Sequence, residues 1–364
     1  MKPVTDPTQL SRLVLEGYKS IQRCDLELGA LNVLVGANGA GKSNLIGFFK
    51  LIRDMTDGNL QLHVAKAGGP DALLHFGRKV SDSLRCELYF GNNGYQATLE
   101  PTVDNRLMFS NEAFWWNMGG AYQIGAGHFE SECKKGTRTR IDEYVLPAME
   151  SWSVYHFHDT SDEARVKQSH AINDNGYLRP DARNLAAYLY RLQEAERGHF
   201  ERIGRTVQLV APFFGGFRLR PSPVNMDVIE LEWVERGQDV PFKAHVLSDG
   251  TLRFICLATL LLQPAEQRPT TVVIDEPELG LHPYAITVLA SMLKSAASRS
   301  QIIVSTQSVE LINEFDAEDL LVVDRQQGRS NFARLSEDAL RGWLEDYSLG
   351  ELWKKNLIGG RPAR

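Results

Sequence analysis

One stretch of the sequence has the residue types and the spacing of a phosphate-binding loop. It follows the pattern G-x-x-x-x-G-K-[ST] and consists of Gly36, Ala37, Asn38, Gly39, Ala40, Gly41, Lys42 and Ser43. The glycines let the chain curl, so that successive backbone N–H groups can point at a β-phosphate. The lysine is expected to reach the β- and γ-phosphates, and the serine hydroxyl to ligate Mg²⁺. A predicted strand precedes the loop and a predicted helix follows it, so we expect ATP and Mg²⁺ to bind here.

Two adjacent acids follow a second apolar run, at residues 271–274. Asp275 at the strand end is expected to serve as a metal residue that orients the water shell of Mg²⁺, and Glu276 to polarise the water that attacks the γ-phosphate. Neighbouring carboxylates repel each other unless a cation lies beside them, and Mg²⁺ supplies that charge. Alone, these acids could form a surface turn. Together with the phosphate-binding loop they predict ATP hydrolysis, and we expect both motifs to act on a single magnesium-triphosphate.

The sequence Leu247-Ser248-Asp249-Gly250-Thr251 resembles a degenerate LSGGQ signature of ABC-type ATPases. The resemblance implies that Ser248 and Gly250 cap a γ-phosphate bound by a partner subunit, so that the chain forms an ATP-dependent homodimer. Asp249 stands where the first glycine of that pair usually lies, and an extra carboxylate near a triphosphate is unfavourable unless it points away. An ordinary N-capped helix is the alternative interpretation, because Ser and Asp are good caps.

Gln307 follows the apolar run 302–304, at the place where the switch segment of ABC-type ATPases belongs. Many members of that family carry histidine at this position. Glutamine can hydrogen-bond a γ-phosphate or a water, but it cannot carry the charge of an imidazolium. The resemblance therefore implies a catalytic Gln307 and an ATPase that is slow or stimulated by a partner.

Further segments resemble the RecF/SMC/OLD-like branch of these ATPases. The turn at residues 18–21 is similar to the first strand of RecF- and SMC-type heads, which implies that Ser20 lies near the nucleotide; an exposed turn is the alternative. Residues 68–78, 155–160 and 347–362 resemble small stand-alone bacterial AAA-family ATPases. No sustained heptads occur, which excludes a long coiled coil, and too few residues follow the switch for a Toprim nuclease domain.

The expected fold is an α/β P-loop NTPase with an ABC-type head, a mixed central sheet, an N-terminal antiparallel β lobe and a helical insert. A hairpin is predicted around residues 91–94, a loop over 121–139, and two helices over 183–214. We expect the first part of the head at 1–160, the insert at 161–215, the second part of the head at 216–335 and a helical tail at 336–364.

Several polar residues have no assigned role. His156, His158 and Asp159 could be drawn as a metal cluster, although polar packing is the commoner outcome. The basic run 134–140 is either a solvated loop or a contact to a nucleic-acid backbone. Gln96 and Gln123 are available as the Mg²⁺-sensing glutamine, but neither has a convincing context.

Composition narrows the setting. The 364 residues carry a net charge of −6, so a nucleic-acid site must be a local patch or one assembled on dimerisation. No apolar run is long enough to span a membrane, and the N-terminus does not resemble a secretory signal. The four cysteines are scattered and form no C-x-x-C pair, which is typical of a reducing cytosol. We expect a cytoplasmic protein with no membrane partner.

Two functions compete. In the first, the head dimerises around ATP and acts as a conformational switch in DNA repair or maintenance, or in antiviral (phage) defence, with double-stranded DNA as a candidate partner. In the second, a low-turnover ATP sensor or scaffold controls a separate effector such as a nuclease or toxin. A transporter subunit ranks third, because the phosphate-binding loop and the signature lie too far apart in the chain.

Overall fold

The computed structural model describes residues 6–117, 119–135 and 142–360. The strands are β1 (Arg12–Tyr18), β2 (Ile21–Glu27), β3 (Leu31–Val35), β4 (Leu84–Phe90), β5 (Asn93–Pro101), β6 (Leu107–Trp116), β7 (Gly120–Gly125), β8 (Ser153–Tyr155), β9 (His170–Ala171), β10 (Phe214–Phe217), β11 (Val228–Ile229), β12 (Glu232–Glu235), β13 (Pro241–Lys243), β14 (Thr271–Asp275), β15 (Gln301–Thr306), β16 (Leu320–Gln326) and β17 (Arg329–Arg334). The helices are α1 (Lys42–Thr56), α2 (Leu60–Ala67), α3 (Asp142–Ser151), α4 (Leu185–Ala195), α5 (Arg197–Val210), α6 (Asp249–Leu262), α7 (Pro283–Ala296), α8 (Val309–Ile312), α9 (Glu337–Leu344) and α10 (Leu349–Lys354).

The chain forms two compact units. Unit 1 comprises Met1–Val154, Thr270–Val273 and Ser300–Arg364, and Unit 2 comprises Tyr155–Pro269 and Ile274–Arg299. The predicted domain boundaries divide the chain by function rather than by compactness, and they stay a prediction. None of the described helices is both long and apolar enough to cross a membrane.

An antiparallel sheet in Unit 1 has the strand order β2-β1-β4-β5-β6-β7. It confirms the predicted N-terminal β lobe, including the hairpin of β4 and β5. The predicted loop over 121–139 is wrong at its start, because residues 120–125 form β7 and pair with β6. No side chain of β7 is fully buried, and the alternation of partly buried Tyr122 and Ile124 with exposed Ala121 and Gln123 is too short to be a strong strand signal. Residues 136–139 of that predicted loop lie outside the described residues.

The second six-stranded sheet has the order β17-β16-β3-β15-β14-β8. Strand β3 pairs in parallel with β15 and β16, whereas β17 pairs antiparallel with β16, so the predicted mixed central sheet is confirmed. All five residues of β3 are buried, as an uninterrupted apolar run in a central strand requires. Helix α1 buries Leu45, Ile46, Phe48 and Phe49 in the core of Unit 1.

Unit 2 is mainly helical. Helix α6 is buried from Thr251 to Leu262 and contacts α5 and α7. Helices α4 and α5 confirm the predicted pair of helices. Strands β11 and β12 follow each other closely in the chain but pair with different neighbours.

Candidate functional site

The predicted phosphate-binding loop of Unit 1 begins where β3 ends and closes at the first residue of α1. Gly39 and Gly41 have φ values of +79° and +119°, which glycine adopts without the steric cost of a β-carbon. The first N–H groups of an α-helix have no partner within the helix, and the helix dipole makes this end attractive to anions. The loop is therefore built to receive a phosphate.

Lys42 lies inside this loop. Its side chain is buried, and Nζ donates to the carbonyl oxygens of Gly36 at 2.6 Å and of Ala37 at 3.2 Å. A buried ammonium needs anionic or carbonyl partners, and these loop carbonyls provide them. The same group would bind a phosphate that enters the loop, because the lysine already reaches into its concave side.

A series of side-chain hydrogen bonds stabilises the phosphate-binding loop. Asn44 Nδ2 donates to Ser20 Oγ at 2.6 Å, Ser20 Oγ lies 2.6 Å from Ser330 Oγ, and Ser330 Oγ donates to Ala40 O at 2.6 Å. A β-carbon on Gly41 would lie 2.0 Å from Ser330 Oγ. Ser20, predicted to lie near the nucleotide, thus contacts the support of the loop. Sequence reasoning missed Ser330, which lies 290 positions from Ala40.

The C-terminal part of Unit 1 also contacts the loop. Ala37 N donates to Gly360 O at 2.6 Å, and Arg325 Nη1 donates to Gly39 O at 3.2 Å. Gly360 has φ +81°, and a β-carbon there would lie 3.4 Å from Gly36 Cα. The end of the described chain therefore packs directly against the phosphate-binding loop. No local sequence motif predicts this contact.

A cleft of about 560 Å³ borders the loop and is lined by Lys19, Ser20, Asn44, Phe76, Arg78 and Arg325. Phe76 is 56% exposed in this cleft and has φ +56°, unusual for a bulky residue. Burial, followed by the charge of Lys50, lowers the pKa of Lys19. An exposed ring among basic side chains suits a nucleoside with its phosphates.

The twin acids belong to Unit 2. Asp275 is the last residue of β14, and Glu276 follows it with φ +43°, a left-handed conformation that costs a residue with a β-carbon about 1–3 kcal/mol. His158 Nε2 lies 2.8 Å from Asp275 O, and His156 Nδ1 lies 3.9 Å from Asp275 Oδ2. The histidines to which sequence reasoning gave no role therefore surround the first acid. Within the described ranges, no group of three or more His, Cys, Asp and Glu side chains could hold a metal ion.

Arg253 on α6 holds this arrangement together. It is only 5% exposed, and its Nε and Nη2 donate to the carbonyl oxygens of Phe157 at 2.8 Å and His158 at 3.1 Å. Nη1 donates to Leu279 O on the loop that follows the acids. Burial lowers the pKa of Arg253. Arg253 thus links two segments to helix α6: the segment that contains His158 and the loop that follows Glu276.

A sequence model of the family described as "AAA domain, putative AbiEii toxin, Type IV TA system" matches residues 31–105 and 135–313, more than half of the chain. The chain belongs to this AAA-domain family. No curated protein matches it.

Three solved structures share the fold. An Smc head bound to the C-winged helix domain of ScpA has a TM-score of 0.61 and 18% identity, covering 91% of this chain and 99% of that one. An Smc head with an extended coiled coil, bound to the C-terminal domain of ScpA and derived from Pyrococcus furiosus, has a TM-score of 0.57 and 16% identity, covering 93% and 98%. An Smc head with a coiled coil and joint from Pyrococcus yayanosii has a TM-score of 0.56 and 14% identity, covering 93% and 99%. These likenesses confirm the predicted fold, a P-loop NTPase with an ABC-type head.

The predicted signature of this AAA-domain protein lies at the start of α6. Ser248 is its N-cap: Thr251 N donates to Ser248 Oγ at 3.3 Å. A β-carbon on Gly250 would lie 2.5 Å from Gly280 O. Ser248 therefore caps the helix, as the alternative interpretation predicted. Gly250 has a structural reason of its own, because a side chain there would collide with the backbone of the loop that contains Gly280. Ser248 and Asp249 are both exposed, so they remain accessible to a partner.

The remaining predicted residues lie as follows. Gln307 follows β15 in Unit 1 and is half-buried, and the next residue, Ser308, caps α8 through Leu311 N at 3.1 Å. In the basic run, Lys134 pairs with Asp57 and Glu150 at 3.3 and 2.7 Å, whereas residues 136–140 lie outside the described part of the chain.

The residues present fit the substrate and metal that the AAA-domain family implies. The loop offers an ammonium and helix-terminal N–H groups to the phosphates. The hydroxyl of Ser43 and the carboxylate of Asp275 are hard oxygen donors of the type that Mg²⁺ prefers, and Mg²⁺ in nucleotide sites takes few protein ligands.

Proposed function

We propose that this AAA-domain protein binds Mg-ATP through residues 36–43, hydrolyses it with Glu276, and uses the cycle as a conformational switch. The observation that carries the proposal is the buried Lys42 ammonium, held at 2.6 Å from Gly36 O inside a loop at the start of α1. An incoming phosphate replaces two neutral carbonyl acceptors by an anion, which makes the contacts of this ammonium stronger. ATP binding and hydrolysis also agree with the family of the chain.

In this proposal each residue of the site has a separate role in ATP binding or hydrolysis. Ser43 and Asp275 hold Mg²⁺, which supplies positive charge to the phosphate oxygens when it is bound. Glu276 accepts a hydrogen bond from the attacking water and orients it toward the γ-phosphate. Gln307 hydrogen-bonds the γ-phosphate or that water. The cleft beside Phe76 receives the nucleoside, with Ser20 and Asn44 holding the loop in shape.

We further propose that two heads close around ATP. Ser248 and Gly250 at the start of α6 present a helix N-terminus to the γ-phosphate of the partner copy, where an anion is favourable. Exposure of Ser248 supports this role, and the neighbouring Asp249 weakens closure through repulsion of the triphosphate. Two of the matched Smc heads are bound to domains of ScpA. A protein partner, as well as a second copy, is therefore part of the proposal.

The decisive experiment replaces Glu276 with glutamine. We expect Glu276→Gln to keep ATP affinity, to lose hydrolysis by about 100-fold or more, as for loss of a general base, and to accumulate an ATP-bound dimer in light scattering. Glu235→Gln, an exposed acid of the same unit, is the matched control and should behave as the unaltered protein. Hydrolysis by Glu276→Gln at the unaltered rate would exclude Glu276 as the catalytic residue.

The low-turnover sensor is the second candidate, and two departures from the ABC pattern favour it: Gln307 lacks a cationic form, and Asp249 opposes closure. The family description also names a toxin system, which agrees with control of a separate effector. ATPase rates with and without double-stranded DNA separate the candidates. DNA-stimulated turnover that disappears in Glu276→Gln supports the switch in DNA repair or phage defence, whereas an unstimulated, near-zero rate supports the sensor.

A further inference from the structure

A basic pocket in Unit 2 has no part in the proposed ATPase. We call it the arginine pocket; it has a volume of about 160 Å³ and is lined by Arg202, Arg268, Arg299, His199, Ser295 and Ser298, among others. His199 and Arg202 lie on α5, Ser295 on α7, and the other residues in the segments after α6 and α7. Among the described lining residues, none is a carboxylate. The described pocket wall thus carries positive charge and no acid of its own.

Part of this arrangement has a structural explanation. Arg268 Nη1 donates to Leu261 O at 2.9 Å, and His199 Nδ1 lies 2.8 Å from Leu262 O. These contacts satisfy carbonyl groups at the C-terminal end of α6, as basic side chains commonly do. Helix capping accounts for these two contacts, but not for the other two arginines.

Arg268 also has an unsatisfied donor. Its Nε is shielded from solvent and has no hydrogen-bond partner among the described residues. A buried N–H without an acceptor destabilises the fold, and a bound ion or water is a common partner of such a group. The Nε–H of Arg268 can therefore donate to a bound acceptor, since no described residue accepts from it.

The three guanidinium groups also repel one another. Burial and then the charges of Arg299 and Arg202 lower the pKa of Arg268, and Glu266 is the acid that opposes this effect. Within the described part of the chain, none of the three arginines forms an ion pair. A bound anion would relieve the repulsion and satisfy the orphaned donor together.

We propose that the arginine pocket binds a phosphate-type oxyanion. Guanidinium groups match the geometry of phosphate oxygens with paired N–H donors, and several of them converge here. The small volume admits a phosphate group but not a nucleoside beside it, because nucleoside-sized ligands need pockets of about 300 Å³ or more. The phosphate is either free or the terminal phosphate of a nucleic-acid strand that reaches in from outside.

The test measures the effect of inorganic phosphate on the melting temperature, with sodium chloride at equal ionic strength as reference. The Lys42→Ala background removes the phosphate-binding loop as a competing site. Phosphate should stabilise Lys42→Ala, and adding Arg202→Gln with Arg299→Gln should weaken phosphate binding about tenfold, as for loss of a charge-assisted hydrogen bond. Both arginines are exposed, so the fold should tolerate these changes.

Two controls make the result specific. Arg197→Gln with Arg205→Gln removes the same charge from exposed positions of α5 outside the pocket, and should leave phosphate binding unchanged. In chloride alone, the pocket variant should melt at the same temperature as its parent or higher, because a repulsive cluster has been relieved. An equal phosphate response in the pocket variant and its parent would overturn the proposal.

The source of the anion is resolved by oligonucleotides in the same Lys42→Ala background. Tighter binding of a 5′-phosphorylated strand than of its 5′-hydroxyl counterpart, lost in the pocket variant, identifies a nucleic-acid end. Equal binding of the two strands, together with a retained response to inorganic phosphate, identifies a free anion. Absence of both responses contradicts the pocket altogether. None of these outcomes depends on ATP hydrolysis.

Discussion

Replacing Arg253 with methionine tests how the twin acids are held in place. Methionine fills a similar volume but donates no hydrogen bond, so the carbonyl oxygens of Phe157, His158 and Leu279 lose their guanidinium donors. His158 in turn contacts Asp275 O at 2.8 Å. The substitution therefore acts on the acid through one intermediate residue.

The expected loss of stability follows from these contacts. Each buried carbonyl left without a donor costs about 1–3 kcal/mol, and removal of a buried charge returns part of that cost. We expect a net loss of about 2–4 kcal/mol from the free energy of unfolding, which for a chain of this length lowers the melting temperature by on the order of 5 °C. Hydrolysis should fall about tenfold or more, the factor for about 1.4 kcal/mol of lost transition-state stabilisation. Phe157, His158 and Leu279 all lie in Unit 2, so affinity for ATP at the phosphate-binding loop should change less.

Calorimetry and steady-state ATPase assays measure both effects. Arg197→Met is the matched control, because Arg197 is 83% exposed and, among the described residues, forms its ion pair with Glu201 on the surface of α5. Such exposed pairs contribute less than about 1 kcal/mol, so this control should melt and hydrolyse normally. A melting temperature of Arg253→Met within one or two degrees of that of the unaltered protein would refute the stabilising role of the Arg253 hydrogen bonds.

Three further outcomes are expected. Lys42→Ala should weaken ATP binding about 100-fold by isothermal titration, as for loss of a charge-assisted contact, whereas Lys50→Ala, an exposed lysine on the same helix, should not; equal affinities would contradict the loop assignment. Gly360→Ala should weaken ATP binding severalfold, because its β-carbon would lie 3.0 Å from Val322 Cγ1 at φ +81°, whereas Gly237→Ala has a similar φ of +79° but open space and should not. A thiol reagent at pH 8 should label no cysteine in the native protein and all of them after unfolding, because burial raises the pKa to about 12 for Cys24, Cys86 and Cys256 and to about 11 for Cys133; rapid native labelling would show that the thiols are accessible.

The parts that sequence predicted well are those encoded locally. Strand β3, the glycine loop and α1 are continuous in the chain, and each has a signal of its own: a buried apolar run, two left-handed glycines and a helical apolar face. Strand β7 gave a weaker signal, because it is a short edge strand whose side chains are at most partly buried, and its place is set by pairing with β6. Local pattern finds elements that bury a face and misses those that do not.

Residues that position the site could not be predicted in the same way. Ser330 contacts Ala40 across 290 positions, and His158 contacts Asp275 across 117. Serine and histidine have many ordinary roles, so neither residue carries a signal until the fold brings the partners together. His158 is an example. Its sequence context suggested a metal cluster or polar packing, and in the structure its ring nitrogen contacts the backbone carbonyl of Asp275, the candidate metal residue.

Glu276 shows why these long-range contacts matter for chemistry. Its φ of +43° is unfavourable for a residue with a β-carbon, so surrounding contacts must hold it. On one side, His158 contacts the carbonyl of Asp275; on the other, Arg253 binds the carbonyl of Leu279, and both contacts lead back to α6. Helix α6 is capped by Ser248, a residue of the predicted signature. If two heads close around ATP as proposed, a displacement of α6 would have to move the backbone around Glu276 with it or break the hydrogen bonds of Arg253. Closure of the heads would then be coupled to the contacts that hold the proposed catalytic acid.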